Sequence, residues 1–123
     1  MIAARHSEEL DLARVFGERG RGLAERLVTA LRQAVPVEEI WLFGSCARGD
    51  AQAGSDLDLL VVLADDHGLN RPNLACFKAV NHLPGTPPAD VLTIIKTQWD
   101  YEQRHPFGLF GDVIREGVCL YAK

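Results

Sequence analysis

The sequence predicts an α/β fold, in the α+β sense of a small β-sheet flanked by helices, and three observations carry that prediction. Short apolar runs of strand length occupy 39–43, 56–63, 91–95 and 118–121. Between them, apolar residues recur at helical spacing, as in Leu23, Leu27, Ala30, Leu31 and Ala34. The central runs are also apolar on both alternating faces, which suits strands covered by helices rather than strands open to water on one side.

The elements follow in order. Ser7 followed by Glu8 and Glu9 reads as an N-cap with acids in the first helical turn, leading into Leu10, Ala13 and Phe16. Gly17-Glu18-Arg19-Gly20-Arg21-Gly22 then weakens any continuous helix and reads as a hinge or frayed linker. A phosphate loop of the G-x-G-x-x-G type would follow a strand, whereas this stretch follows a helical segment. The helix from Leu23 closes at Pro36. Glu39 to Phe43 is the first strand and Gly44 ends it. Ser45 to Arg48 resembles a short helix, and Ala51 to Ser55 a loop.

The second strand, Asp56 to Leu63, sets Asp56, Asp58, Leu60 and Val62 on one face, with Leu57, Leu59, Val61 and Leu63 on the other. Asp65 to Gly68 is a turn. Pro72 suits a first helical position ahead of Leu74, Phe77, Val80 and Leu83, which the spacing places on one buried face. Pro84 to Pro88 stops that helix. Asp90 opens the third strand as Asp56 opens the second. Thr97 is a candidate cap for a short helix carrying Trp99, Tyr101 and Glu102. Pro106 to Gly111 reads as a loop, Asp112 to Glu116 as helical, and Val118 to Tyr121 as the last strand. Trp41, Phe43, Phe77, Phe107 and Phe110 are expected in the core.

At 123 residues the chain is expected to form a single domain, 1–123, with a core at about 23–121 preceded by a helical extension and glycine-rich hinge. Thirteen basic against 17 acidic residues give a formal charge of −4, and no Lys/Arg cluster marks a track for a polyanion. That excludes a processive polymerase but leaves a single nucleotide possible. The first residues lack the apolar core of a signal peptide. The longest apolar run, Leu57 to Ala64 with Asp58 inside it, is too short to span a bilayer. A cytoplasmic location without membrane contact is therefore expected. Cys46, Cys76 and Cys119 form neither a disulfide framework nor a zinc motif, and read as packing thiols. Cys46 alone stands where a helix start would lower its pKa. His6, His67, His82 and His105 show no metal-ligand spacing.

The stretch from Phe43 to Leu60 carries the chemistry. A glycine–serine turn after an apolar strand can present backbone N–H groups and a hydroxyl to phosphate. Asp56 and Asp58, two residues apart along a strand, would lie roughly 6.5–7 Å apart at Cα on one face, which suits carboxylates sharing hard cations. Asp90 would join them if its strand is a neighbour. Three carboxylates together would repel one another, and two Mg²⁺ ions about 3.5–4 Å apart would remove that cost. The plainer alternatives are solvated aspartates at a strand end, an Arg48 ion pair with Asp50 or another loop carboxylate, and a Ser45 hydroxyl that caps the short helix.

Gly44-Ser45-Cys46-Ala47-Arg48-Gly49-Asp50, followed by Ser55-Asp56-Leu57-Asp58-Leu59, resembles the G-S-x-A-R-G … S-D-x-D-L signature of the minimal nucleotidyltransferases. These are small members of the DNA polymerase beta superfamily, similar also to the core of kanamycin nucleotidyltransferase. The resemblance implies the polymerase beta-like fold with a small mixed sheet. It implies that Gly44 and Ser45 contact the β- and γ-phosphates of ATP and that Arg48 orients the loop or a phosphate. Asp56, Asp58 and Asp90 would bind two Mg²⁺ ions, with Mn²⁺ as a substitute, and Asp90 would help to deprotonate the acceptor hydroxyl. AMP would be transferred and pyrophosphate released.

Free-standing proteins of this size in that family resemble the antitoxin half of toxin–antitoxin systems, which modifies a tyrosine of a HEPN ribonuclease toxin with AMP. That is the leading functional expectation. The alternatives are adenylylation of a small molecule such as an aminoglycoside, or an antitoxin that neutralises its partner by contact alone.

Overall fold

The computed structural model describes residues 5–6, for the backbone alone, together with 12–52 and 54–123. The expected cap at Ser7 and the acids behind it lie outside the described residues. Five strands form one mixed sheet: β1 (Arg5–His6), β2 (Val37–Phe43), β3 (Leu57–Leu63), β4 (Ala89–Ile95) and β5 (Val118–Ala122), in spatial order β1-β5-β2-β3-β4. The central pairs β2/β3 and β2/β5 are antiparallel, while β3/β4 and the short β1/β5 pair are parallel. Among the described residues six α-helices accompany them: α1 (Ala13–Phe16), α2 (Leu23–Ala34), α3 (Ser45–Arg48), α4 (Pro72–Asn81), α5 (Lys96–Arg104) and α6 (Gly108–Glu116).

The strand alternation divides the core between the two faces of the sheet. Leu57, Leu59, Val61 and Leu63 of β3, with Ile40 and Leu42 of β2, pack against Leu23, Leu27 and Leu31 of α2 and Cys76 and Val80 of α4. On the other face Trp41, Leu60, Val62 and Ile94 meet Trp99 of α5 and Val113 and Ile114 of α6. The central strand is thus buried on both sides, which is why β3 reads as a nearly unbroken apolar run. Complete burial of one leucine side chain contributes roughly 1.5–3 kcal/mol, so the six fully buried leucines that α2 and β3 turn toward the first face dominate it.

Several local expectations change. Gly17–Gly20 is a 3-10 turn rather than a frayed hinge, and Gly20 is buried against the Leu12 backbone where a Cβ would collide. Residues 108–111 are helical: Gly111 packs so closely on the Pro106 carbonyl that a side chain there would clash, and the helix starts from Phe107. On α4 the buried positions are Cys76 and Val80, while Leu74 and Phe77 point outward. Phe77 is 46% and Phe107 79% exposed, so neither is a core residue. The helix is held by its small residues against β4, which leaves the larger side chains beside the sheet edge. Asp56 precedes the strand instead of opening it.

The start of α5 is fixed from a distance. Asp65, in the turn after β3, accepts hydrogen bonds from the Thr97 backbone N–H at 3.0 Å and from the Thr97 hydroxyl, so the cap is Asp65 rather than Thr97. These bonds, the hydroxyl first, hold the Asp65 carboxyl below its ordinary range. Under the same face, Glu39 Oε1 accepts both indole N–H groups, Trp41 at 2.9 Å and Trp99 at 3.1 Å, and Glu39 Oε2 pairs with Lys96 at 2.9 Å. Lys96 also pairs with Asp100 at 2.8 Å, and these carboxylates push its pKa up to about 12.

Candidate active site

The register of the sheet assembles a row of side chains across three strands. Phe43 of β2 stands opposite Asp58 of β3, and Asp58 stands beside Asp90 of β4. All three share the face on which Trp41, Leu60 and Ile94 lie, because side chains alternate along each strand. The α5–α6 layer covers that face further along the strands, and the row at this end stays open. Parallel neighbours lie about 4.8 Å apart, so Asp58 and Asp90 are adjacent without any long-range folding device beyond strand pairing.

Gly44 closes the row from the β2 side. Its backbone (φ 74°, ψ −157°) is in a region that only glycine occupies readily. A Cβ there would overlap Asp58 Oδ2 and lie 3.2 Å from Asp58 Cγ. Glycine is therefore required twice, for the turn and for the carboxylate that rests against it. α3 begins directly after it, with Ala47 and Arg48 N–H both bonded to the Gly44 carbonyl at 3.1 and 3.0 Å. The N–H groups of Ser45 and Cys46 precede the first bonds of that helix and are the donors such a start presents. The cap position is Gly44, which has no side chain to bond, and the Ser45 hydroxyl bonds to the Cys46 thiol.

Beneath the turn, the Cys46 thiol donates to the Asp56 carbonyl at 3.6 Å, tying α3 to the segment that carries Asp56. Burial, then the charge of Asp58, push the Cys46 thiol up, the reverse of the activation expected at a helix start, and it is an inert tie. Arg48 pairs with Asp50 and with Glu116 of α6, each at 3.3 Å, so its head is held by carboxylates on the outside of the turn. The ion-pair alternative for Arg48 is thus what the structure contains.

Burial raises the pKa of Asp58, Asp90 and then Asp56 raise it further, and Arg48 partly opposes them. Asp58 therefore responds to both neighbours, and it alone of the three is half-buried, Asp56 and Asp90 being exposed. Among the described residues no three acidic, imidazole or thiol side chains converge closely enough to enclose an ion on their own. A divalent cation there would relieve the repulsion that Arg48 only partly offsets at Asp58.

From Asp58 and Asp90 an open groove of about 570 Å³ runs toward α4, walled by Phe43, Leu74, Phe77 and Leu92. The outward turn of Leu74 and Phe77 that helical spacing missed is explained by this groove. The role of Asp65, the Glu39 network and the bonds of Asn81 to β4 also escaped sequence reasoning, because each joins segments far apart in the chain.

The sequence family described as nucleotidyltransferase domain matches residues 24–107. No curated protein matches the chain at a significant level. Among solved structures, a toxin–antitoxin crystallised with AMP-PNP aligns at 19% identity and TM-score 0.58, covering 81% of this chain and 73% of its own. A mutant of the toxin–antitoxin MntA-HpeT aligns over the same shares at 19% identity and TM-score 0.55. A Sulfolobus solfataricus protein described as a nucleotidyltransferase candidate aligns over 100% of this chain and 93% of its own, at 19% identity and TM-score 0.50. At these identities the structural likeness speaks for the fold.

Proposed function

We propose that this chain, which belongs to the nucleotidyltransferase domain family, transfers AMP from ATP to a hydroxyl group, that of a tyrosine on a partner HEPN ribonuclease toxin. The observation that carries the proposal is the row Asp58–Asp90 in strand register, with glycine-only backbone at Gly44 pressed against the Asp58 carboxylate. The toxin–antitoxin structures of the same fold support the choice of partner, one of them holding AMP-PNP.

In this mechanism Gly44 and Ser45 hold the β- and γ-phosphates through backbone N–H groups and the Ser45 hydroxyl. Asp56, Asp58 and Asp90 would hold two divalent ions, Mg²⁺ or Mn²⁺, which would supply charge neutralisation at the phosphates. Asp90, exposed at the groove mouth, accepts the proton of the attacking hydroxyl. The acceptor oxygen bonds to the α-phosphorus, the bond to the bridging oxygen breaks, and pyrophosphate leaves with that electron pair. The groove walled by Leu74 and Phe77 receives the acceptor side chain. Arg48, paired on the outside of the turn, orients the loop.

The test is co-expression with a HEPN ribonuclease, followed by intact-mass measurement with Mg²⁺ and ATP. The partner gains the mass of one AMP group, and Asp56→Asn with Asp58→Asn abolishes the gain. An unmodified partner beside the intact protein refutes the proposal. Neutralisation of the partner by the double variant would establish occlusion in its place, and transfer to an aminoglycoside alone would establish a small-molecule enzyme.

A further inference from the structure

β4 is the outer strand on its side of the sheet, so half of its backbone groups have no strand to meet. Asn81, the last residue of α4, supplies that missing partner at one position. Its Oδ1 accepts the Ala89 N–H at 3.1 Å and its Nδ2 donates to the Ala89 carbonyl at 3.1 Å, reproducing both bonds a neighbouring strand would give. The same Nδ2 donates to the Phe77 carbonyl at 3.0 Å, which fixes the amide to the helix. Ala89 is the residue directly before Asp90, and on its other side the Leu57 N–H donates to the Pro88 carbonyl at 2.9 Å. The backbone entering Asp90 is thus gripped from both edges. One side chain also closes the base of the proline-rich turn from His82 to Pro88, a segment that lacks proline N–H donors of its own.

We infer that Asn81 is a positioning residue for Asp90: its carboxamide replaces an absent strand and holds the β4 backbone in the register that sets Asp90 beside Asp58. The inference rests on the assignment of Asp90 as a metal-binding carboxylate. A side chain that acts on a ligand through its backbone resembles the outer hydrogen-bond partners of metal sites, whose removal typically costs 10–100-fold in metal affinity.

The experiment compares Asn81→Ala with Thr93→Val. Thr93, three residues further along the same strand, also bonds α4 through Asn73, so Thr93→Val removes an α4–β4 link that does not touch the backbone next to Asp90. Amide hydrogen exchange and Mn²⁺ titration, followed by the paramagnetic signal of free Mn²⁺, are measured on the full chain without nucleotide. Asn81→Ala should lose protection at the Ala89 amide and bind Mn²⁺ about tenfold more weakly, whereas Thr93→Val keeps the wild-type affinity. Unchanged Mn²⁺ affinity in Asn81→Ala, or an equal loss in both variants, overturns the positioning role while leaving the metal site standing. A wild-type protein that binds no Mn²⁺ overturns the metal assignment itself, and the Ala89 exchange rate then reports the clamp alone.

Discussion

Gly44→Ala separates the structural and chemical demands placed on one residue. Alanine in this backbone region costs about 1–3 kcal/mol. Its Cβ also displaces the Asp58 carboxylate, and pushing that side chain off its rotamer adds about 0.5–1.5 kcal/mol. The sum is about 1.5–4.5 kcal/mol. For a chain of 123 residues each kcal/mol moves Tm by about 4 °C, so the expected fall is about 6–18 °C. Gly49→Ala is the control: Gly49 has φ 89° and nothing within 4 Å of an added Cβ, so it bears only the left-handed cost of about 1–2 kcal/mol, or about 4–8 °C. Melting curves are recorded with and without Mg²⁺ and ATP. At a ligand concentration of 100 times Kd, binding adds about 2.7 kcal/mol, a rise of about 11 °C. Wild type and Gly49→Ala should show that rise, and Gly44→Ala should show little of it. Equal melting of the two variants, with the ligand response intact in Gly44→Ala, would refute the argument that Gly44 seats Asp58.

Three further outcomes follow from the electrostatics. Because the folded state raises the Asp58 pKa, ionised Asp58 costs stability at neutral pH, and that cost is relieved as pH falls through its raised value. Asp58→Asn should therefore melt higher than wild type at pH 7 without metal, with the gap closing toward pH 4 in a series of melts; a constant gap contradicts this. Glu39→Ala leaves the buried Trp99 indole and its neighbour Trp41 without an acceptor and should cost about 2–5 kcal/mol in urea unfolding, whereas Lys96→Met, which spares both indole bonds, should cost about 1 kcal/mol or less. Arg48→Ala breaks only exposed pairs and should change stability by less than about 1 kcal/mol, so a rise in KM for ATP in steady-state assays would come from the turn and not from unfolding.

What could be read in the sequence was local. The central strands β2, β3 and β4, the helices α2 and α3, and the glycine–serine turn announce themselves because alternation, helical spacing and glycine each act over a few residues. Asp58 and Asp90 were also legible as strand-end carboxylates, and their meeting needed only that their strands be neighbours. α4 was misread in one respect: apolar spacing marked Leu74 and Phe77 as buried, but the stripe that faces the core is Cys76 and Val80, since a groove at the sheet edge claims the other side. The helix over 108–111 was hidden by its two glycines: Gly111 is small for close packing on Pro106, while Gly108 turns the chain into the helix at φ 61°. Asp65, Glu39 and Asn81 act on partners fixed only by the folded topology. No spacing rule reaches from Asp65 to Thr97 or from Glu39 to Trp99.

The paired indoles on Glu39 also determine what light can report. Both tryptophans of the chain lie in the core between the sheet and the α5–α6 layer, with ring centroids 5.7 Å apart and Trp99 fully buried. Intrinsic fluorescence therefore follows that layer alone, and the opposite layer of α2 and α4, which carries Asn81 and the groove wall, is dark. Far-UV circular dichroism follows both. Coincident fluorescence and dichroism transitions would mean that the two sides of the sheet melt as one unit, and separated ones would resolve the side bearing the groove wall from the side bearing the indoles.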